Sequence, residues 1–172
     1  MRNSKMKGFT LIELIVVIAI IGVLAAILVP SMMGYVGDSK LSTANANAKL
    51  VYTNTATYAT KCEVAGYPMN AACTIATATS LQEANVTGQV AAPTVQPTGT
   101  DLTNALKQLM GSSTTAAGVF KVDVNASGTP TFAAWAKTAD DQYVGAYPNA
   151  TTAKTAGKIA GVTATFTGDA TN

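Results

Sequence analysis

A chain of 172 residues, 48% hydrophobic, 12% charged and 6% aromatic, has the length of one ordinary domain, or of a smaller domain with an appendage. It contains no His, which excludes Ser-His-Asp, Cys-His and His-ligated zinc chemistry. Eleven Lys+Arg against nine Asp+Glu give a net charge of +2, and no Lys/Arg cluster is interleaved with aromatics, so nucleic acid is not expected as the main partner.

The composition is bimodal. Ala and Thr supply 31 and 26 residues, mostly after Thr53, while the hydrophobic fraction is concentrated in residues 11–29, where Glu13 is the only charge. Nineteen residues make a helix of roughly 28 Å, close to the ~30 Å hydrocarbon thickness of a bilayer. Arg2, Lys5 and Lys7 precede it without an acid among them, so the positive-inside rule keeps the N-terminus cytoplasmic and sends the rest outside. A cleaved secretory signal, with Val23-Leu24-Ala25 as its processing site, and a plain anchor are the competing readings. Both leave Glu13 unexplained, because an acid near the start of a membrane segment costs about 1–3 kcal/mol unless it is partnered.

Lys7-Gly8-Phe9-Thr10-Leu11-Ile12-Glu13-Leu14 sets a small residue at the junction of basic leader and apolar helix, with the lone acid four residues past the Phe. Over residues 1 to about 35 the chain resembles the N-terminus of a type IV pilin: a short basic leader ending in Gly, then Phe, then Glu, then a continuous apolar helix. The resemblance implies that a prepilin peptidase cuts between Gly8 and Phe9 and methylates the new amine of Phe9. Loss of the leader leaves eight Lys+Arg against nine acids, a formal −1. It further implies that Glu13 of an incoming subunit meets the Phe9 amine of a neighbour, each neutralising a charge that is costly to bury alone. The implied fold is α+β, a long N-terminal helix on a small antiparallel sheet.

Gly22 and Pro30 are unusual inside a long helix, one for its backbone freedom and the other for its missing donor. They predict a mild kink in the isolated subunit, and the resemblance implies loosening of the helix between them in a filament. Beyond Pro30 the helix is expected to run to about Tyr58 or Lys61. Leu41, Ala44, Ala48, Val51, Thr55 and Tyr58 recur at spacings of three and four and would face the sheet. A heptad coiled coil is the weaker alternative, since its Ala and Thr positions make a poor zipper. Cys62 and Cys73 flank a loop, and a cysteine pair outside the cytoplasm reads as a disulfide contributing about 2–3 kcal/mol. A second helix is expected with Thr100 as N-cap, Leu102, Ala105, Leu106, Leu109 and Met110 on one face and Gly111 as terminator.

Three strands follow: residues 118–124, 131–137 and 142–147, with Asn125-Ala126-Ser127-Gly128 as a turn and residues 159–166 as a further strand candidate. The chain divides accordingly into a leader (1–8), a membrane or filament-core helix (9–30), its amphipathic continuation (31–60), a connecting region (61–117) and a sheet with C-terminal tail (118–172). Trp135 reads as core, with Trp135, Tyr143 and Tyr147 as sugar-stacking candidates only if exposed. Asp140, Asp141 and Asp169 lack calcium-loop spacing, and adjacent Asp140 and Asp141 make poor glycosidase geometry. Asn85-Val86-Thr87, Asn125-Ala126-Ser127 and Asn149-Ala150-Thr151 match the glycosylation triplet, but in so Thr-rich a chain such matches arise readily by chance and by themselves place no glycan.

No catalytic set, metal or cofactor is expected. The expected function is that of a structural subunit of a surface filament serving adhesion or twitching motility. Its partners would be copies of itself, the prepilin peptidase, an assembly platform with its ATPase, and the inner membrane before assembly. A pseudopilin of a type II secretion system and a membrane-anchored carbohydrate-binding adhesin are the alternatives.

Overall fold

The structure, a computed structural model, describes residues 9–70, 73–80, 90–110, 118–152 and 159. The chain forms two units, the first reaching to Asp38 and the second beginning at Ser39. Helix α1, Leu11–Val64, contributes to both.

In the first unit the helix begins at Thr10, whose carbonyl accepts the first turn's hydrogen bond from Leu14 N at 3.3 Å. The helix continues without interruption through Gly22 and Pro30.

In the second unit, residues 41, 44, 48, 51, 55 and 58 of α1 are buried as their spacing predicts, joined by Asn47 and Cys62. The helix runs one turn beyond the expected end. It stops where Gly66 takes φ +83°, with Tyr67 N donating to Cys62 O at 2.9 Å and Gly66 N to Glu63 O at 3.0 Å. That pair of bonds is a Schellman cap, which needs a left-handed residue at this position and so favours glycine.

The sheet has four antiparallel strands in chain order: β1 (Ile75–Ser80), β2 (Val119–Val124), β3 (Pro130–Ala136) and β4 (Gly145–Tyr147). Strand β1 was not expected, because Ile-Ala-Thr-Ala-Thr-Ser lacks the large alternating side chains that mark a strand. It pairs Ile75 with Val122 and Thr79 with Phe120 across an irregularity. Just before it, the Thr74 hydroxyl accepts from Val124 N at 3.0 Å and lies 3.1 Å from Val124 O, continuing the ladder through a side chain. Strands β2 and β3 pair Phe120 with Trp135 and Val122 with Ala133. The third expected strand shortens to β4, and of residues 159–166 only Ile159 lies among the described residues.

Alternation sorts β2 and β3 onto two faces. Phe120, Val122, Val124, Ala133 and Trp135 join Ala44, Ala48, Val51, Tyr58 and Cys62 of α1, together with the buried side of α2 (Gly99–Met110). Phe132, Ala134 and Ala136 join Val144, Ala146 and Ile159 on the other face. A fully buried side chain of the size of Phe120 contributes about 1.5–3 kcal/mol. The expected face of α2 is confirmed at Leu102, Ala105, Leu106 and Met110, while Leu109 lies at its exposed edge. Its N-cap is Thr98 rather than Thr100. Thr98 N and Oγ1 donate to Asp101 Oδ2 at 2.8 and 2.7 Å, and the carboxylate three residues on decides which of several threonines caps. Gly111 lies outside the described residues.

Strand β4 passes so close to α1 that a Cβ at Gly145 would overlap the Ala44 carbonyl carbon and oxygen. Only a glycine fits there, and this contact brings Asn45 within reach of the segment after β4.

Candidate functional site

The site assembled around Phe9 and Glu13 is the start of α1. Phe9 is 80% exposed. The Glu13 carboxylate accepts from Thr10 N at 2.8 Å and from Thr10 Oγ1 at 2.7 Å, and Glu13 N donates to Thr10 Oγ1 at 3.3 Å. This is a reciprocal capping box, and it holds the negative charge at the positive end of the helix dipole. Within one chain, therefore, the lone acid of the apolar segment is bound to the residue that follows Phe9. Sequence reasoning did not assign Thr10, although the Thr-x-x-Glu spacing before an apolar run is the signal that finds it. Gly8 lies outside the described residues.

Beyond this cap, every large apolar side chain between residues 11 and 36 is at least 46% exposed. The helix is long and apolar enough to cross a membrane. Apolar surface of this extent marks contact with lipid or with other protein, since water-exposed patches on monomers are far smaller. Among the described residues a Cβ at Gly22 or Gly34 would meet nothing within 4 Å, so packing against them does not select glycine there.

In the second unit, Cys62 and Cys73 are unbonded thiols, each fully buried and in the same apolar cluster. Burial pushes both thiols above the ordinary range, and Cys73 Sγ donates to Pro97 O at 3.2 Å.

Trp135 is only 4% exposed and packs inside the core. This removes it as an exposed stacking platform: its partner Phe120 and the helix side of the sheet enclose it. Tyr143 and Tyr147 are half-buried. Lys40 Nζ lies 5.4 Å from the Tyr143 ring centroid and Lys49 Nζ 6.0 Å from that of Tyr147, while Tyr52 meets Tyr147 edge-on at 4.8 Å. The two tyrosines are thus engaged by α1. Asp141 Oδ1 accepts from Tyr143 N at 3.0 Å, as in a turn, and Asp169 lies outside the described residues. Among the described residues no group of three His, Cys, Asp or Glu is gathered where it could hold a metal.

Residues 3–29 match the family model described as the prokaryotic N-terminal methylation motif. The chain is similar to the type IV major pilin protein PilA of Myxococcus xanthus, 51% identical over 51 residues, which are 30% of this chain and 23% of that protein. It is also similar to the fimbrial protein EcpC of Eikenella corrodens, 57% identical over 44 residues, 26% of this chain and 29% of that one. A third relative is the type IV major pilin protein PilE1 of Neisseria gonorrhoeae, 50% identical over 42 residues, 24% of this chain and 26% of that one. The matched stretch spans about a quarter of the length of these relatives. No solved structure matches the chain.

Proposed function

We propose that this chain is a structural subunit of a type IV pilus, made as a prepilin, cut between Gly8 and Phe9, N-methylated on Phe9 and polymerised through α1 into a surface filament for adhesion or twitching motility. The observation that carries the reading is the largely apolar surface of residues 11–36, exposed throughout and carrying Glu13 as its only charge. Lipid covers that surface before assembly, with the N-terminus cytoplasmic; other copies of the same helix cover it in the fibre. One subunit type suffices, because identical head-to-tail contacts with a non-closing rotation build an open helical polymer. The relatives named as pilins and fimbrial proteins support this reading over a pseudopilin, and the burial of Trp135 weighs against an adhesin that stacks sugars on it.

Glu13 supplies the specificity. A uniform apolar helix has no preferred axial position against its neighbours, whereas a carboxylate seeking a methylated amine has one. In the free subunit the carboxylate rests on Thr10; in the fibre it turns to the Phe9 amine of a neighbour, which exchanges two hydrogen bonds from neutral donors for an ion pair with a cationic one. Prepilin peptidase, an inner-membrane platform and a cytoplasmic ATPase would carry out processing and extrusion. Outside the cytoplasm Cys62 and Cys73 would be oxidised to a disulfide.

The test is electron microscopy of sheared surface material with N-terminal sequencing, on the unaltered chain and on Glu13→Leu. Filaments beginning at methylated Phe9, and their absence from Glu13→Leu cells that still hold the subunit in the membrane, are the expected results. A mature terminus at Ala26, or abundant filaments from the variant, overturns the reading.

A further inference from the structure

The three glycosylation triplets are equal in sequence and unequal in structure. Asn85 lies outside the described residues. In the third triplet Asn149 is exposed, but Thr151 is only 3% exposed and its hydroxyl is held between Asn45 Oδ1, at 3.0 Å, and Val144 O. Asn125, Ala126 and Ser127 are all exposed, at the tip of the β2–β3 hairpin. There Asn125 Oδ1 accepts from Ser127 N at 3.0 Å and from Thr129 N at 2.9 Å, while Gly128 N donates to Asn125 O at 3.0 Å. Neither Asn125 Nδ2 nor the Ser127 hydroxyl has a hydrogen-bond partner among the described residues.

We propose that Asn125 is an N-glycan acceptor. An Asx turn of this kind fixes the side-chain amide through its oxygen and leaves the nitrogen, the atom that must react, free in solvent. It also sets the hydroxyl of the triplet two residues on, uncommitted, on the same exposed tip. The donor is a glycan carried on a polyisoprenyl diphosphate. Asn125 Nδ2 attacks the anomeric carbon, a C–N bond forms, the anomeric C–O bond breaks, and polyisoprenyl diphosphate departs with the electron pair while the amide gives one proton to a base of the transferase. Next to the tip, Thr60, Glu63, Ser127 and Thr129 share the walls of a cavity of about 210 Å³ with Met69 and Pro130. Hydroxyls and a carboxylate beside apolar side chains match a sugar ring, which has polar edges and apolar faces. Such a glycan would shield a hairpin tip with a hydrophilic, protease-resistant cover.

The inference rests on the extracytoplasmic placement proposed above, and one digest separates the two. Trypsin releases residues 122–137 as a single peptide between Lys121 and Lys137, together with the N-terminal peptide, from chain prepared from its own cells. The expected result is a sugar adduct that fragmentation localises to Asn125. It is lost completely in Asn125→Gln and in Ser127→Ala, and retained in Ser127→Thr and Asn149→Gln. An unmodified 122–137 peptide beside an N-terminal peptide that starts at methylated Phe9 overturns this inference and leaves the filament reading standing, as does an adduct found only on hydroxyls. An adduct on Asn125 in a chain that starts elsewhere upholds it while the filament reading fails.

Discussion

Asn45 of α1 and Thr151, beyond β4, are joined by three hydrogen bonds. Asn45 Oδ1 accepts from Thr151 N at 3.1 Å and from Thr151 Oγ1 at 3.0 Å, and Asn45 Nδ2 donates to Thr151 O at 2.8 Å. The same Oδ1 takes a third bond, from Ala146 N at 3.1 Å. One side chain thus satisfies the backbone of a short edge strand and of the loop after it, at the point where Gly145 lets strand and helix touch.

Replacing Asn45 by Ala leaves two backbone N–H groups and one carbonyl without their partner. Each buried group so orphaned costs about 1–3 kcal/mol, and water entering the space recovers part of this. Asn45→Ala is expected to lose about 2–4 kcal/mol in urea unfolding of the detergent-solubilised chain. Hydrogen exchange should quicken first at Ala146 and Thr151. A loss under 0.5 kcal/mol would mean that the loop finds other partners.

That contact shows where the sequence is legible and where it is not. The seam from Leu41 to Tyr58 could be read because small and apolar residues recur at helical spacing, and β2 and β3 because Phe120, Val122, Phe132 and Trp135 alternate with other side chains. Asn45 could not, since a polar residue beside that seam looks the same whether it faces water or a loop 106 positions on. Strand β1 escaped because its partner, not its own side chains, makes it a strand. Among the many threonines, the true cap at Thr98 is distinguished only by Asp101.

The α2 capping box makes part of the stability dependent on pH. Hydrogen bonds from the Thr98 hydroxyl and then from its backbone N–H hold the Asp101 carboxyl below its usual value. A depressed folded value means that the stabilisation is fully present above the unfolded value of about 3.9 and is lost as pH falls through the folded one. Thr98→Ala is therefore expected to cost about 1 kcal/mol at pH 7. As pH falls through the folded value and Asp101 takes up a proton in both chains, the difference should shrink. Thermal unfolding of both chains at pH 7 and at a series of pH values descending from about 3.9 checks this.

Burial of Cys62 and Cys73 predicts when a disulfide can form. Thiolate is the attacking species, and burial raises both thiols, so the folded dithiol holds little of it. A chain folded under reductant should oxidise slowly with glutathione disulfide at pH 7 and much faster in urea. Intact mass with and without reductant gives the rates. Equal rates would mean that this part of the core opens readily. Chain taken from the cell surface should be two mass units lighter than its reduced form, and Cys62→Ser should lose about 2–3 kcal/mol relative to that oxidised chain.

Gly22 and Pro30 offer a test that separates folding of the free chain from assembly into the proposed fibre. Among the described residues nothing stands within 4 Å of a Cβ at Gly22, and the helix is already continuous through both residues. Alanine at these positions should stiffen α1, by up to about 1 kcal/mol for Gly22→Ala and about 3 kcal/mol for Pro30→Ala on intrinsic preference. Folding and membrane accumulation are therefore expected to match the unaltered chain, with helix content by circular dichroism equal or slightly higher. If the helix must loosen between these residues to pack in a fibre, the double variant has to give up that added stability on assembly. Its filament yield after shearing should then fall at least tenfold, the factor that 1.4 kcal/mol sets. A normal yield of filaments from the double variant would show that α1 enters the fibre as the regular helix it is in the free chain.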